Sequence, residues 1–293
     1  MAHTGSANPR VWMRDMGGGK WPEAERIQLE AGRWLLGVGG KTTGEAVRGE
    51  LGWWSLQGRR DLCRLRFFGK LARLGADKLL KRVFLVCKPI TENMPTTWCG
   101  RTRQLLFDLL LGHIWSSESV GSSKDWEKVI YSCIQARELQ AWKDGLQNKP
   151  KLRLYRLLKS QLRREEYLTL PFETRRRLTE LRSGTVWIKT GRWEGEPLED
   201  RVCRVCICGP IEDEMHVLLD CYPYRELREQ MLSLIMDKTG YDVSLMQGDR
   251  EWLRDFLRVP DSNNRVTVAQ IVGTFLNKML KRREKILQVP RNR

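Results

Sequence analysis

The chain has 293 residues, 41% hydrophobic and 30% charged, which is enough apolar mass for one sizeable core or two smaller ones and too much for a disordered tail. Fifty-two Lys and Arg against thirty-six Asp and Glu leave a formal charge of +16, which points to a polyanion as partner, nucleic acid before an acidic membrane surface. No apolar run approaches the roughly 18 residues of a spanning helix, since Leu105 to Trp115 is interrupted by Asp108 and His113, so a membrane protein is excluded.

The segment from Met1 to Arg10 has no apolar stretch of the secretory kind and, with Gly17-Gly18-Gly19 after it, reads as part of a flexible N-terminus over 1–22. The thiols are therefore expected in a reducing compartment, nucleus or cytoplasm. Helical periodicity dominates the rest of the chain. Glu23 to Leu36 and Arg60 to Leu74 are predicted amphipathic helices, the second with Leu62, Leu65, Phe68 and Leu71 on one face. Arg101 to Trp115 and Trp126 to about Trp142 are two more, separated by the Ser/Gly loop Ser116 to Ser123. Lys149-Pro150 breaks the chain and marks a domain boundary. Leu152 to Tyr167 reads as a strongly basic helix, and Pro171 opens another that Ser183-Gly184 closes.

Thr185 to Thr190, rich in β-branched residues and bounded by Gly184 and Gly191, is the best strand candidate. After the cysteine-rich stretch, Tyr224 to Met236 reads as a helix. A polar loop at Asp261 to Asn264 leads into a last helix with Val268, Ile271, Val272, Phe275, Leu276 and Met279 on one stripe, a core face first and a protein-partner face second. The expected fold class is mainly α, with a small C-terminal cysteine-rich knuckle and at most a short β-hairpin.

Four of the eight cysteines, Cys63, Cys87, Cys99 and Cys133, stand alone and read as small buried hydrophobes. The other four cluster as Cys203-x2-Cys206-x9-His216-x4-Cys221, with Cys208 between. Zinc takes four N/S ligands in a tetrahedron; a C-x2-C turn offers two thiolates from one side and an H-x4-C pair, about one helical turn apart, closes the other. Cys203, Cys206, His216 and Cys221 are thus candidate zinc ligands of a closed, structural site, with Arg201 and Arg204 near enough to offset its charge. Cys208 is either a free thiol or a replacement for Cys206 in a C-x4-C variant. Glu212, Asp213 and Glu214 read as solvated charges at a helix start, favoured by the helix dipole.

Residues Arg201 to Glu229, with the acidic stretch, the His, the short apolar run, the last Cys and the aromatic and Leu-Arg helix behind it, resemble the zinc-knuckle segment near the C-terminus of reverse transcriptases from non-LTR (LINE-type) retrotransposons. The lead-in Leu181 to Thr185 through Gly191-Arg192-Trp193 is similar to the segment preceding that knuckle. Leu36-Gly37-Val38 through Glu50-Leu51-Gly52-Trp53 with Arg59-Arg60 is similar to the region after the polymerase thumb. The resemblance implies a post-thumb helical region over 23–149, basic helices and a short strand over 150–200, the knuckle and following helix over 201–236 and a C-terminal helical segment over 237–293. It also implies the four zinc ligands above. The polymerase of that family needs an aromatic-x-Asp-Asp box, and this sequence has no adjacent Asp-Asp pair, so no polymerase or other enzymatic activity is expected of it. A detached C-terminal portion, relic or retained gene, is the implied origin.

Gly37 to Thr43 approaches a phosphate loop, but counting back from Gly40 puts Leu35 where the motif needs Gly, and a helix precedes it where the motif needs a strand. A capping box, Thr42-x-x-Glu45, accounts for it better. The better functional clue is the excess of basic residues from Lys149 to Arg182. Arg175, Arg176, Arg177 and Arg182, with Arg192, are candidate phosphate contacts, and Trp187 and Trp193 are candidate stacking platforms or packing around the zinc. RNA or single-stranded DNA is the expected partner rather than a specific duplex sequence. The alternative from another class is a zinc-stabilised protein-interaction module.

Overall fold

The computed structural model describes residues 21–92, 94–188, 197–206, 209–240, 257 and 262–288. The expected flexible N-terminus lies almost wholly outside them. The described residues are mainly helical and contain no strand; the only pairing among them is two isolated antiparallel bridges, Leu51 with Arg164 and Val202 with Ile211.

In chain order the α-helices are α1 (Pro22–Leu36), α2 (Gly44–Leu51), α3 (Leu56–Arg73), α4 (Leu79–Cys87), α5 (Trp98–Asp108), α6 (Gly112–Ser117), α7 (Ser123–Gln147), α8 (Arg153–Leu158), α9 (Phe172–Arg182), α10 (Arg225–Thr239) and α11 (Ser262–Leu287). Their starts follow local chemistry. Pro22 occupies the first position of α1 with Glu23 and Glu25 behind it, and Ser55, Thr97 and Thr43 accept hydrogen bonds from the amides of Gly58, Gly100 and Ala46. The cap of α2 is thus Thr43, one residue later than the capping box expected from Thr42. Thr42 is buried, and its carbonyl accepts from Arg33 Nε at 3.0 Å. The phosphate-loop-like stretch is a turn between two helices.

Three further expectations change. The helix expected over Arg101 to Trp115 is two, α5 and α6. The run Leu105 to Leu111 is apolar on too many sides for one buried face, and the chain turns at Leu110, which has a φ of 60° and is 88% exposed. The long basic helix expected over Leu152 to Tyr167 is only α8. Lys159 leaves the helix in an extended conformation, and its buried ammonium binds the Arg163 carbonyl at 2.6 Å and the Glu165 carboxylate. The expected strand at Thr185 to Thr190 is, as far as Ile188, an irregular buried segment. Gly184, at a φ of 63°, ends α9, and the amides of Thr185 and Val186 both return to the Glu180 carbonyl at 2.8 and 3.0 Å. Side-chain burial, not a ladder, is what the β-branched run serves there. The last helix begins at Ser262, inside the expected loop.

The chain divides into two compact units, Met1–Gln28 with Trp54–Ala141 and Leu29–Trp53 with Trp142–Arg293. The division is interleaved rather than falling at Lys149-Pro150, because α1 and α7 each supply residues to both units. In the first unit α7 faces inward at every fourth residue, Trp126, Ile130, Ile134 and Glu138, an i, i+4 stripe that packs with Leu65 and Phe68 of α3. Glu138 belongs to the stripe because its carboxylate accepts the Ser55 amide at 2.8 Å. In the second unit the expected stripe of α11 is core. Val268, Val272, Phe275, Leu276 and Met279 are buried with Leu178 and Leu181 of α9 and Met231 and Ile235 of α10, and of the expected stripe Ile271 is only partly buried.

Candidate metal centre

The cysteine-rich segment is built on one hairpin-like turn and one short helical turn. Val202 pairs with Ile211, the Cys203 amide donates to the Pro210 carbonyl at 2.8 Å and the Glu212 amide to the Arg201 carbonyl at 2.8 Å, which fixes the start of the C-x2-C turn. Asp213 then caps the second element, its carboxylate accepting the His216 amide at 2.8 Å. His216–Asp220 is a π-helical turn, closed by the Cys221 amide on the His216 carbonyl at 2.7 Å. The wider turn has a purpose. Five residues along an ordinary α-helix would rotate His216 and Cys221 about 140° apart, whereas an i→i+5 turn brings them back to the same side.

The result gathers the four expected ligands: Cys203 Sγ, Cys206 Sγ, a His216 ring nitrogen and Cys221 Sγ all lie within 4.8 Å of one another. Cys203 Sγ is 4.0 Å from Cys221 Sγ, and Cys206 Sγ is 3.4 Å from His216 Nε2. A zinc tetrahedron with bonds of about 2.3 Å to sulfur and about 2.0 Å to nitrogen places ligand atoms roughly 3.5–3.8 Å apart, so the donor set and its spacing fit that ion. Cys203, His216 and Cys221 are buried and Cys206 is half-buried.

The electrostatics of the cluster suit a cation. The hydrogen bond from Cys221 holds the Cys203 thiol well below its ordinary range, against the effect of burial, while the same interaction pushes Cys221 up. The two titrate as a pair. Burial alone would lower the pKa of His216, but the sulfur of Cys203 and the carboxylates of Asp220 and Glu212 outweigh it and raise it. A negative centre draws positive charge to itself.

Around the ligands, the structure corrects the reading of the acidic run. Glu212 and Glu214 are buried, not solvated. Glu212 accepts from the Cys203 thiol at 3.4 Å and is held from the other side by both terminal nitrogens of Arg283 on α11, one of them at 2.9 Å. Glu214 accepts from Arg153 Nη2 at 2.6 Å. The compensating charges are therefore Arg283 and Arg153, which sequence reasoning missed: Arg283 lies 71 positions from Glu212, with nothing in its spacing to connect them. Arg204 is exposed and Arg201 is buried.

The candidate nucleic-acid residues fare differently. Arg177 is buried and gives its nitrogens to Asn277 at 2.8 Å, Glu180 at 2.8 Å and Glu173 at 3.3 Å. Arg182 is buried between Glu50 at 2.9 Å and Glu165 at 3.4 Å. Arg176 pairs with Glu180 at 3.0 Å, and Arg175 lies over the Phe172 ring and reaches the Leu168 carbonyl at 3.4 Å. Arg177 and Arg182, so engaged, lie inside the fold and are not presented to phosphate, while Arg175 and Arg176 are half-exposed. For Arg182 no local pattern signals this, because the carboxylates that claim it come from α2 and the loop before α9, whereas Arg176 and Arg177 pair with carboxylates one turn away on their own helix. Trp187 is buried with Arg283 over its ring at 5.4 Å, which makes it packing beside the metal ligands rather than an open stacking platform. Arg192, Trp193 and Cys208 lie outside the described residues. Of the scattered cysteines, Cys99 is buried, Cys63 and Cys133 are half-buried, and Cys87 is exposed, contrary to expectation.

No family model matches this chain, and neither a curated protein nor a solved structure does. No described helix is long and apolar enough to cross a membrane.

Proposed function

We propose that this protein is a zinc-stabilised nucleic-acid-binding protein, similar to the post-polymerase region of a LINE-type reverse transcriptase and without polymerase chemistry of its own. One observation carries the reading: three thiols and an imidazole at C-x2-C-x9-H-x4-C spacing converge within 4.8 Å of one another in a buried setting. Zinc held there supplies a cross-link, not a Lewis acid with an open position, because all four sites are filled by protein. The chain's own residues do the rest. Asp213 sets the start of the ligand-bearing turn, and Glu212 and Arg283 orient and neutralise the Cys203 side.

The charge of +16 supports a polyanionic partner. A protein-interaction role through the last helix has less behind it, since the apolar stripe of α11 is used in the core. Elemental analysis of the purified chain, beside the Cys203→Ser/Cys206→Ser double variant, tests the zinc. One zinc per chain that the variant loses is the expected result, and absence of metal from reduced protein would sink the reading. Salt-dependent binding of RNA and single-stranded DNA tests the partner.

A further inference from the structure

Arg177 and Arg182 of α9 are engaged inside the fold, and the loop before that helix presents charge outward. Between Lys159 and Glu165 the chain is anchored by its backbone. Glu165 donates its amide to the Glu50 carbonyl at 2.9 Å, Arg164 bridges to Leu51, and the Arg163 carbonyl accepts from buried Lys159. Gly52, at a φ of 66°, is what lets the two backbones approach: a Cβ there would stand 2.4 Å from the Arg164 nitrogen. The side chains of Arg163 and Arg164 project from this fixed backbone, both residues are exposed, and neither guanidinium forms an ion pair with a described residue.

Both line a cleft of about 460 Å³, within the size range of ligand sites. Its lining carries five cations against two carboxylates, while Leu181, Val268 and Val272, which also border it, are almost wholly buried. Of those carboxylates, Glu165 is neutralised by Lys159 and Arg182, and Glu166 faces Arg265 at 4.0 Å in a half-exposed, readily screened pair. Two exposed guanidinium groups on an anchored backbone, in a cleft of net positive charge, match the phosphodiesters of a nucleic-acid strand.

We infer that this cleft seats the backbone of single-stranded nucleic acid, with Arg163 and Arg164 on successive phosphates. The inference rests on the nucleic-acid reading above and gives it a location that Arg177 and Arg182 do not provide.

The test uses the full zinc-loaded chain and a fluorescent oligouridylate of about 20 nucleotides, titrated at several salt concentrations from about 50 to 200 mM. Arg163→Ala/Arg164→Ala is compared with wild type and with Lys124→Ala/Lys128→Ala, which removes two exposed lysines of α7. Zinc content and circular dichroism verify that each variant is folded. The arginine variant is expected to bind about tenfold more weakly or worse, with the slope of log affinity on log salt shallower by about 0.7 for each phosphate no longer neutralised, while the lysine variant stays close to wild type. Unchanged affinity and slope in the arginine variant, with wild type binding well, overturns the cleft and leaves nucleic-acid binding standing. Failure of zinc-loaded wild type to bind at all overturns the nucleic-acid reading and the cleft together.

Discussion

The two units hold themselves together by different means. The first is built around an aromatic cluster, with the Asp61–Arg64 pair as its buried charge: the Phe68 ring lies 5.8 to 6.0 Å from those of Phe84, Trp115 and Trp126, and the Trp126 indole N–H reaches the Leu65 carbonyl at 2.8 Å. The second packs Leu, Val and Met side chains, yet threads charge through them, with Glu50 on Arg182, Glu212 on Arg283 and the Cys3His cluster all buried. An apolar core degrades gradually as groups are trimmed. A core with ions in it fails sharply when one partner is removed, because the other is left charged and desolvated.

That contrast can be broken at four places. Stripping zinc with a chelator, or changing Cys203 and Cys206 to Ser, should cost the most, on the order of 5 kcal/mol in the second unit. Hydrogen exchange should then show weakened protection over 201–240 while Leu62 to Phe68 remains protected. Arg182→Met should come next, at about 3–5 kcal/mol, because it strands Glu50, which also accepts from the Tyr167 hydroxyl at 2.7 Å. Denaturant midpoints check this, and adding Glu50→Leu should restore much of the stability if the buried charge is the cause. In the aromatic unit, Phe68→Leu should cost only about 1–2 kcal/mol.

The smallest effect concerns Glu118. Burial works against its charge, but hydrogen bonds from Lys81 and Lys88 outweigh that and hold its carboxyl below the ordinary carboxylate range. A carboxylate with a depressed folded pKa stabilises fully above its unfolded value and loses that contribution as pH falls through the folded one. Glu118→Gln should therefore cost about 1 kcal/mol at neutral pH, and thermal melts of variant and wild type should converge in acid. Curves that stay parallel down to low pH would show that the lysine pairs contribute nothing.

Periodicity and spacing make part of this molecule legible from its residues alone. The stripe Leu62, Leu65, Phe68 and Leu71 marks α3, and the thiol and imidazole spacing names the four side chains that converge as a possible metal site, because both are short-range patterns. The illegible part depends on partners distant in the chain. Arg182 looks like part of a nucleic-acid surface until Glu50, 132 positions away, claims it. A helix over Leu152 to Tyr167 is too long an expectation because the charge pattern continues past Leu158, while Lys159 turns inward to Glu165. In α4 periodicity finds the helix but misplaces its face: Leu79, Val83 and Val86 recur at i, i+4 and i+7, yet all three are exposed, while Phe84 is buried.

Arg283 has a bearing on how the protein is made. Its partner Glu212 precedes it by 71 residues, an interval of roughly 4 to 14 s at common rates of synthesis, about 5 to 20 residues per second. Once Cys221 is made, Arg283 is still 62 residues ahead, and over that later part of the interval the candidate metal loop is complete but this counter-charge does not yet exist. The nascent loop must therefore either hold its thiols on a metal with Glu212 still hydrated or wait for α11, so the timing of metal capture relative to translation decides the order in which this half of the chain assembles.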